Sequence, residues 1–162
     1  MESVIMVPMR MFRIITLGLA VGLAQPVMAQ SLRDAAETLR PLAEQGQAQA
    51  QTLLGTCYDS GIGGVSQDYA EALKWFRKAA EQGYGDGLAD MGTMYAGGFG
   101  VPKNYVLSYM YLELAKAQDA KTDTLRMTRA VVNSKVSTAQ IAEAKGLAAE
   151  CVRANFKGCE KM

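Results

Sequence analysis

The sequence predicts an all-α fold: a short α-solenoid of helix-turn-helix repeats closed by a C-terminal helical cap. Three observations lead there. A stretch of the chain repeats itself at an offset of 37 residues, a period that belongs to stacked supersecondary units. Within each copy, apolar residues recur at helical spacing. Glycines and capping residues fall where such helices would start and stop. The composition permits a packed core, with 49% hydrophobic and 20% charged residues in 162. A formal charge of +1 offers no concentrated basic surface for nucleic acid. Histidine is absent, which excludes Ser-His-Asp and Cys-His machinery and the commonest zinc ligand sets.

Residues 1–29 read as a signal peptide rather than as part of the fold. Arg10 and Arg13 precede an apolar run over residues 14–24, followed by Gln25-Pro26-Val27-Met28-Ala29. This is the order of a positive n-region, an h-region and a small-residue cleavage site. Cleavage after Ala29 leaves Gln30 first. Read instead as an uncleaved anchor, the segment is short, since its dense apolar part holds only 11 residues. The processed chain then has 133 residues, 15 basic and 15 acidic, with no further membrane span, and a periplasmic or secreted location is expected. Charge is unevenly spread. Residues 30–115 carry 6 basic and 10 acidic side chains, and residues 116–162 carry 9 and 5.

The repeat is clearest where Leu53-Leu54-Gly55-Thr56-Cys57-Tyr58-Asp59-Ser60-Gly61-Ile62-Gly63 meets Asp90-Met91-Gly92-Thr93-Met94-Tyr95-Ala96-Gly97-Gly98-Phe99-Gly100. Gly55/Gly92, Thr56/Thr93, Tyr58/Tyr95, Gly61/Gly98 and Gly63/Gly100 are identical pairs. Gly64 is one extra residue, after which Tyr69/Tyr105 and Ala79/Ala115 continue the match at 36. Upstream, Ala43-Glu44-Gln45-Gly46 returns as Ala80-Glu81-Gln82-Gly83. The division that follows is a half unit over 30–46, repeats over 47–83 and 84–120, and a cap over 121–162.

In the first helix of repeat one, Ala50, Leu53, Leu54, Cys57 and Tyr58 share an expected inward face. Gly61 ends it in a left-handed conformation. Asp68 caps the second helix, with Glu71 three residues on for a capping box. Tyr69, Ala72, Leu73, Phe76, Ala79 and Ala80 point inward, and Gly83 stops the helix. Gly55 and Gly92 lie inside helices, where glycine costs about 1 kcal/mol against alanine. Close approach of the paired helix is the expected reason.

The pattern Leu54-Gly55-x-x-Tyr58-x-x-Gly61-x-Gly63, then Val65-x-x-Asp68-Tyr69-x-x-Ala72-x-x-Trp75-Phe76-x-Lys78-Ala79-Ala80-x-x-Gly83, resembles the Sel-1-like repeat, a relative of the tetratricopeptide repeat. The second unit carries it through Met91-Gly92-x-x-Tyr95-x-x-Gly98-x-Gly100-Val101-Pro102-x-Asn104-Tyr105. It departs afterwards, where Leu114-Ala115-Lys116-Ala117 stands in place of Lys-Ala-Ala. Gly85 and Gly87 replace the family's alanines, which predicts a weak first turn. The resemblance covers residues 43–118. It implies a short right-handed α-solenoid that scaffolds protein–protein contact, in exported bacterial members within the cell envelope.

Beyond residue 120 no further unit occurs. Residues 122–134 read helical, with Leu125, Val131 and Val132 apolar. Ser137-Thr138-Ala139-Gln140 is a capping box for a last helix carrying Ile141, Ala144, Leu147, Ala148 and Cys151 on one face. That helix covers the open end of the solenoid. Cys57 reads as a small buried hydrophobe. Cys151 and Cys159 would be about 12 Å apart on one continuous helix, too far to bridge. Asn155-Phe156-Lys157-Gly158 reads as a helix stop and turn that brings them together, and an oxidising compartment favours a Cys151–Cys159 disulfide. The resemblance agrees, since some family members pair cysteines at this spacing.

No Gly-x-Ser-x-Gly, phosphate-binding glycine loop or Ser-x-x-Lys is present. Asp59, Asp68, Asp86 and Asp90 fit helix caps and exposed faces better than a metal or acid/base cluster. Tyr69, Trp75, Phe76, Tyr105, Tyr109 and Tyr111 fit a core better than a base-stacking platform. No cofactor, no metal and no nucleic acid are expected. Stacked helix pairs curve, with the first helix of each pair lining the concave side. There Gln49, Thr52, Thr56 and Asp59, with Asp86 and Thr93 in unit two, form the candidate contact surface for another protein. The alternative function is a hydrolase or binder acting on cell-wall or β-lactam material, as attributed to cysteine-rich relatives.

Overall fold

A computed structural model describes residues 34–161. The segment read as a signal peptide, and the first residues of the half unit, lie outside the described residues. Seven α-helices follow in order: α1 Ala35–Glu44, α2 Ala48–Ser60, α3 Tyr69–Ala80, α4 Gly85–Gly97, α5 Tyr105–Ala117, α6 Asp123–Asn133 and α7 Thr138–Arg153. A 3-10 turn, Cys159–Lys161, ends the described chain. From α1 to α6 each helix packs on the next, and α7 returns onto α5. In addition α2 meets α4 and α4 meets α6. The helices therefore form two layers, α2/α4/α6 and α1/α3/α5/α7. Within the repeats the first layer is the tighter one, because α2 and α4 touch directly while α3 and α5 pack through α4; the second layer closes in the cap, where α7 meets α5. This is an all-α solenoid of stacked helix pairs.

Local chemistry sets the helix ends. The Asp68 side chain accepts from the Glu71 amide at 3.0 Å and starts α3. The reciprocal half of the expected capping box does not form. Instead the Glu71 carboxylate accepts from Trp75 Nε1 at 3.1 Å and from Lys74 Nζ at 2.7 Å. A buried indole N–H needs a partner, and Glu71 one turn earlier supplies it. Ser137 and Gln140 do form both halves of their box. Gly61 and Gly98 end α2 and α4 at φ 66° and 77°, a region side chains enter only at a cost.

Glycines inside the helices mark the closest approaches. A Cβ on Gly55 would stand 2.6 Å from Phe76 Cε1 of α3, and one on Gly92 would stand 2.8 Å from Leu112 of α5. Gly87 plays the same part between units, where a Cβ would lie 2.6 Å from that of Ala79. The helix nevertheless begins at Gly85, so packing against α3 outweighs the weak first turn. Leu54, Leu88, Met91, Met110 and Leu112 are fully buried around these contacts. Two apolar residues depart from the expected faces. Leu53 is 46% exposed and Val131 is 53% exposed.

The C-terminal segment folds back over the second layer. α7 ends at Arg153, Asn155 and Phe156 take left-handed backbone at φ 52° and 62°, and Cys159 returns to Cys151 as a disulfide with a Cα–Cα distance of 5.0 Å. Glu160 then pairs with Arg77 of α3 at 2.6 Å and accepts from the Tyr111 hydroxyl of α5 at 3.3 Å. Phe156 lies over Gly83, close enough to meet any Cβ placed there at 2.9 Å.

Candidate interaction face of the first helices

The first layer exposes its polar residues because its apolar ones are drawn toward α1, α3 and α5. Around α2, Leu54 and Gly55 are buried, and Gln49 and Thr56 lie on the solvent side. Asp59 is half-buried where α2 faces α4, as are Asp86 in the first turn of α4 and Thr93 two turns on. These five residues fall on one layer. Thr52 does not join them. It is 8% exposed and its hydroxyl donates to the Ala48 carbonyl at 3.0 Å within α2, so it offers no polar group to a partner. Thr56 and Thr93 turn their hydroxyls to the backbone carbonyls four residues earlier, at 3.0 and 3.1 Å. Thr93 also meets the Thr128 hydroxyl of α6 at 3.3 Å, which ties the cap to repeat two.

Asp90 is the residue beside this candidate face that sequence reasoning places wrongly. It is neither a cap nor exposed, but half-buried between Asp59 and Asp86. Burial pushes its carboxyl up to about 7, with the two neighbouring carboxylates adding to the rise. Burial likewise raises Asp59. The repeat offset held the signal, since Asp90 occupies the place of Leu53. An unfolded aspartate titrates near 3.9. The folded chain therefore holds a proton at Asp90 that the unfolded chain releases between roughly pH 4 and 7. Its stabilising contribution is complete below that window and is lost as pH rises through 7. Asp90→Asn should raise stability at pH 8 by about 2 kcal/mol, allowing for partial exposure, and much less at pH 5. Melting curves at the two pH values check this, and an equal gain at both contradicts it.

Sequence reasoning also missed Gln51. It is buried, its amide donates to the Ala43 carbonyl at 3.0 Å, and its oxygen accepts from Gln82 at 2.7 Å. This joins the half unit, α2 and the end of α3. Among the described residues no group of three or more acidic or cysteine side chains is arranged to hold a metal ion. Among them, too, no helix is long and apolar enough to cross a membrane.

Two stacked helix pairs whose first helices carry polar residues on the solvent side define a helical-repeat scaffold. Residues 48–84 and 85–119 each match the Sel1 repeat, and the chain is a Sel1-like repeat protein. Among solved structures it is similar to a protective antigen of uropathogenic Escherichia coli displaying an SLR fold. That likeness has 28% identity and a TM-score of 0.67, and covers 80% of this chain and 28% of the other. It is also similar to a Sel1 repeat protein from Oxalobacter formigenes, at 37% identity and a TM-score of 0.51, over 52% of this chain and 25% of that one. The chain thus spans about a quarter of the length of either. No curated protein matches it in sequence. Sel1 repeats typically form non-catalytic scaffolds for protein–protein interaction.

Proposed function

We propose that this chain is an exported interaction module that holds or regulates another protein of the cell envelope. The observation that carries the reading is the inner layer itself. Gln49 and Thr56 are exposed on α2, beside the half-buried Asp59 and Asp86, on a surface whose backbone is held in helix. A preformed face binds without an ordering cost. The signal-like residues 1–29, with cleavage after Ala29, support export. So does the Cys151–Cys159 pair, which belongs to an oxidising compartment.

The test is a cross-linked pull-down of tagged protein from separated envelope fractions, with the N-terminus of the bait sequenced. A bait beginning at Gln30 that carries one or two specific envelope proteins is the expected result. Gln49→Arg with Thr56→Arg, both at exposed positions, should cut that capture about tenfold while leaving the melting temperature unchanged. Recovery of a processed, soluble bait alone contradicts the reading, and so does undiminished capture by the double variant. The hydrolase alternative requires purified protein to turn over a substrate unaided, and no group of residues on this face favours it.

A further inference from the structure

The two ends of the solenoid leave different surfaces uncovered. Leu53 of α2 and Asp90 of α4 occupy the same place in consecutive repeats. In α4 that place faces the preceding first helix, where Asp90 feels Asp59 of α2. Among the described residues no first helix precedes α2, and Leu53 stands 46% exposed. At the other end, α6 turns Thr128 to α4 and ion-pairs Arg129 with Glu113 of α5. Its far side carries Met127 and Val131, one helical turn apart, 70% and 53% exposed. α7 does not cover them, since it packs on α5.

Charge follows the same polarity. Residues 34–60, which form α1 and α2, carry 1 basic and 4 acidic side chains, and residues 116–136, around α6, carry 5 and 2. An apolar place at the acidic end and an apolar stripe at the basic end are complementary to each other, and neither is complementary to itself. We propose that copies of this chain stack head to tail, with Met127 and Val131 of α6 in one copy covering Leu53 of α2 in the next. The contact is heterologous, so it continues from copy to copy rather than closing as a symmetric pair. Both patches are small, which makes the association weak and sensitive to salt. Leu53 lies one turn from Gln49 and Thr56 on α2, so a stacked copy would share that face with the partner proposed above, and the purified protein, tested with no other protein present, separates the two.

Sedimentation equilibrium on the protein, purified as the expressing cells process it, tests the stacking. Average mass should rise with concentration through the submillimolar range and fall back toward monomer in high salt. Leu53→Glu damages one end, and Met127→Glu with Val131→Glu damages the other. Each variant alone should stay monomeric. Mixed, they retain one intact end apiece and should form a 1:1 dimer that grows no further. All three positions are exposed, and serine replaces glutamate if either variant loses its helical circular dichroism. A monomeric parent protein, variants that associate as the parent does, or a mixture that stays monomeric would each overturn the proposal.

Discussion

A chain ending at residue 136 should lose its cooperative melting transition. α7 contributes Ala144 and Cys151 at 0% exposure to the same core as Met110, Leu112 and Leu114 of α5, with Ile141, Leu147 and Ala148 packed around them. Removing it opens that face of α5 to water. It also removes the Arg77–Glu160 ion pair, the Tyr111–Glu160 hydrogen bond and the disulfide. Fully burying each larger apolar side chain contributes about 1.5–3 kcal/mol, against a whole-domain stability of about 5–15 kcal/mol. Losing several at once leaves little, and two repeats lie below the roughly three units that an uncapped array needs. Reducing the disulfide in the intact chain should give a milder version, about 2–3 kcal/mol for a loop this short. Circular dichroism on heating checks both. A truncated chain that melts as the full one does would show the cap to be an ornament.

Gly92→Val should destabilise the protein by about 3 kcal/mol. The added Cβ alone would lie 2.8 Å from Leu112 and 3.3 Å from the Ser108 carbonyl oxygen. Neither can retreat. Leu112 is 1% exposed, and fully buried Ser108 is held to the Gly92 carbonyl by its own hydroxyl at 2.7 Å. Gly92→Ala should cost less, because alanine recovers about 1 kcal/mol of helix propensity. Gly146, inside α7 with open space where its Cβ would go, is the internal comparison. There the same change to alanine should stabilise by up to about 1 kcal/mol. Denaturant titrations of the three variants decide the matter. A stabilising Gly92→Ala equal to that of Gly146→Ala would mean that α4 and α5 do not approach as closely as described.

The elements that could be read from sequence are those set by local rules. Asp68 and Ser137 as caps, Gly61 as a stop and the turn at residues 155–158 each follow from one residue's chemistry and its near neighbours. What escaped depends on which helix lies opposite. Leu53 satisfies the apolar period of α2, yet its place in the stack is filled only when a first helix precedes it. Thr52 and Asp90 read as polar surface along their own helices, yet packing buries Thr52 and half-buries Asp90 beside Asp59 of α2. Glu71 reads as the second half of a capping box, but the Trp75 indole competes for it. Glu160 gave no local signal, because its partners Arg77 and Tyr111 lie 83 and 49 residues away. The candidate face was thus legible as a layer, from the repeat offset, and not residue by residue.

The central claim is that the inner layer of this scaffold is where a protein partner sits. Site-specific photo-cross-linking in expressing cells tests it most directly. The probe is placed in turn at Gln49 and Thr56 on α2, and at the exposed Lys74 on α3 for comparison. One and the same envelope protein should be trapped from Gln49 and Thr56 and not from Lys74. Trapping from Lys74 alone would put the contact on the second layer and contradict it.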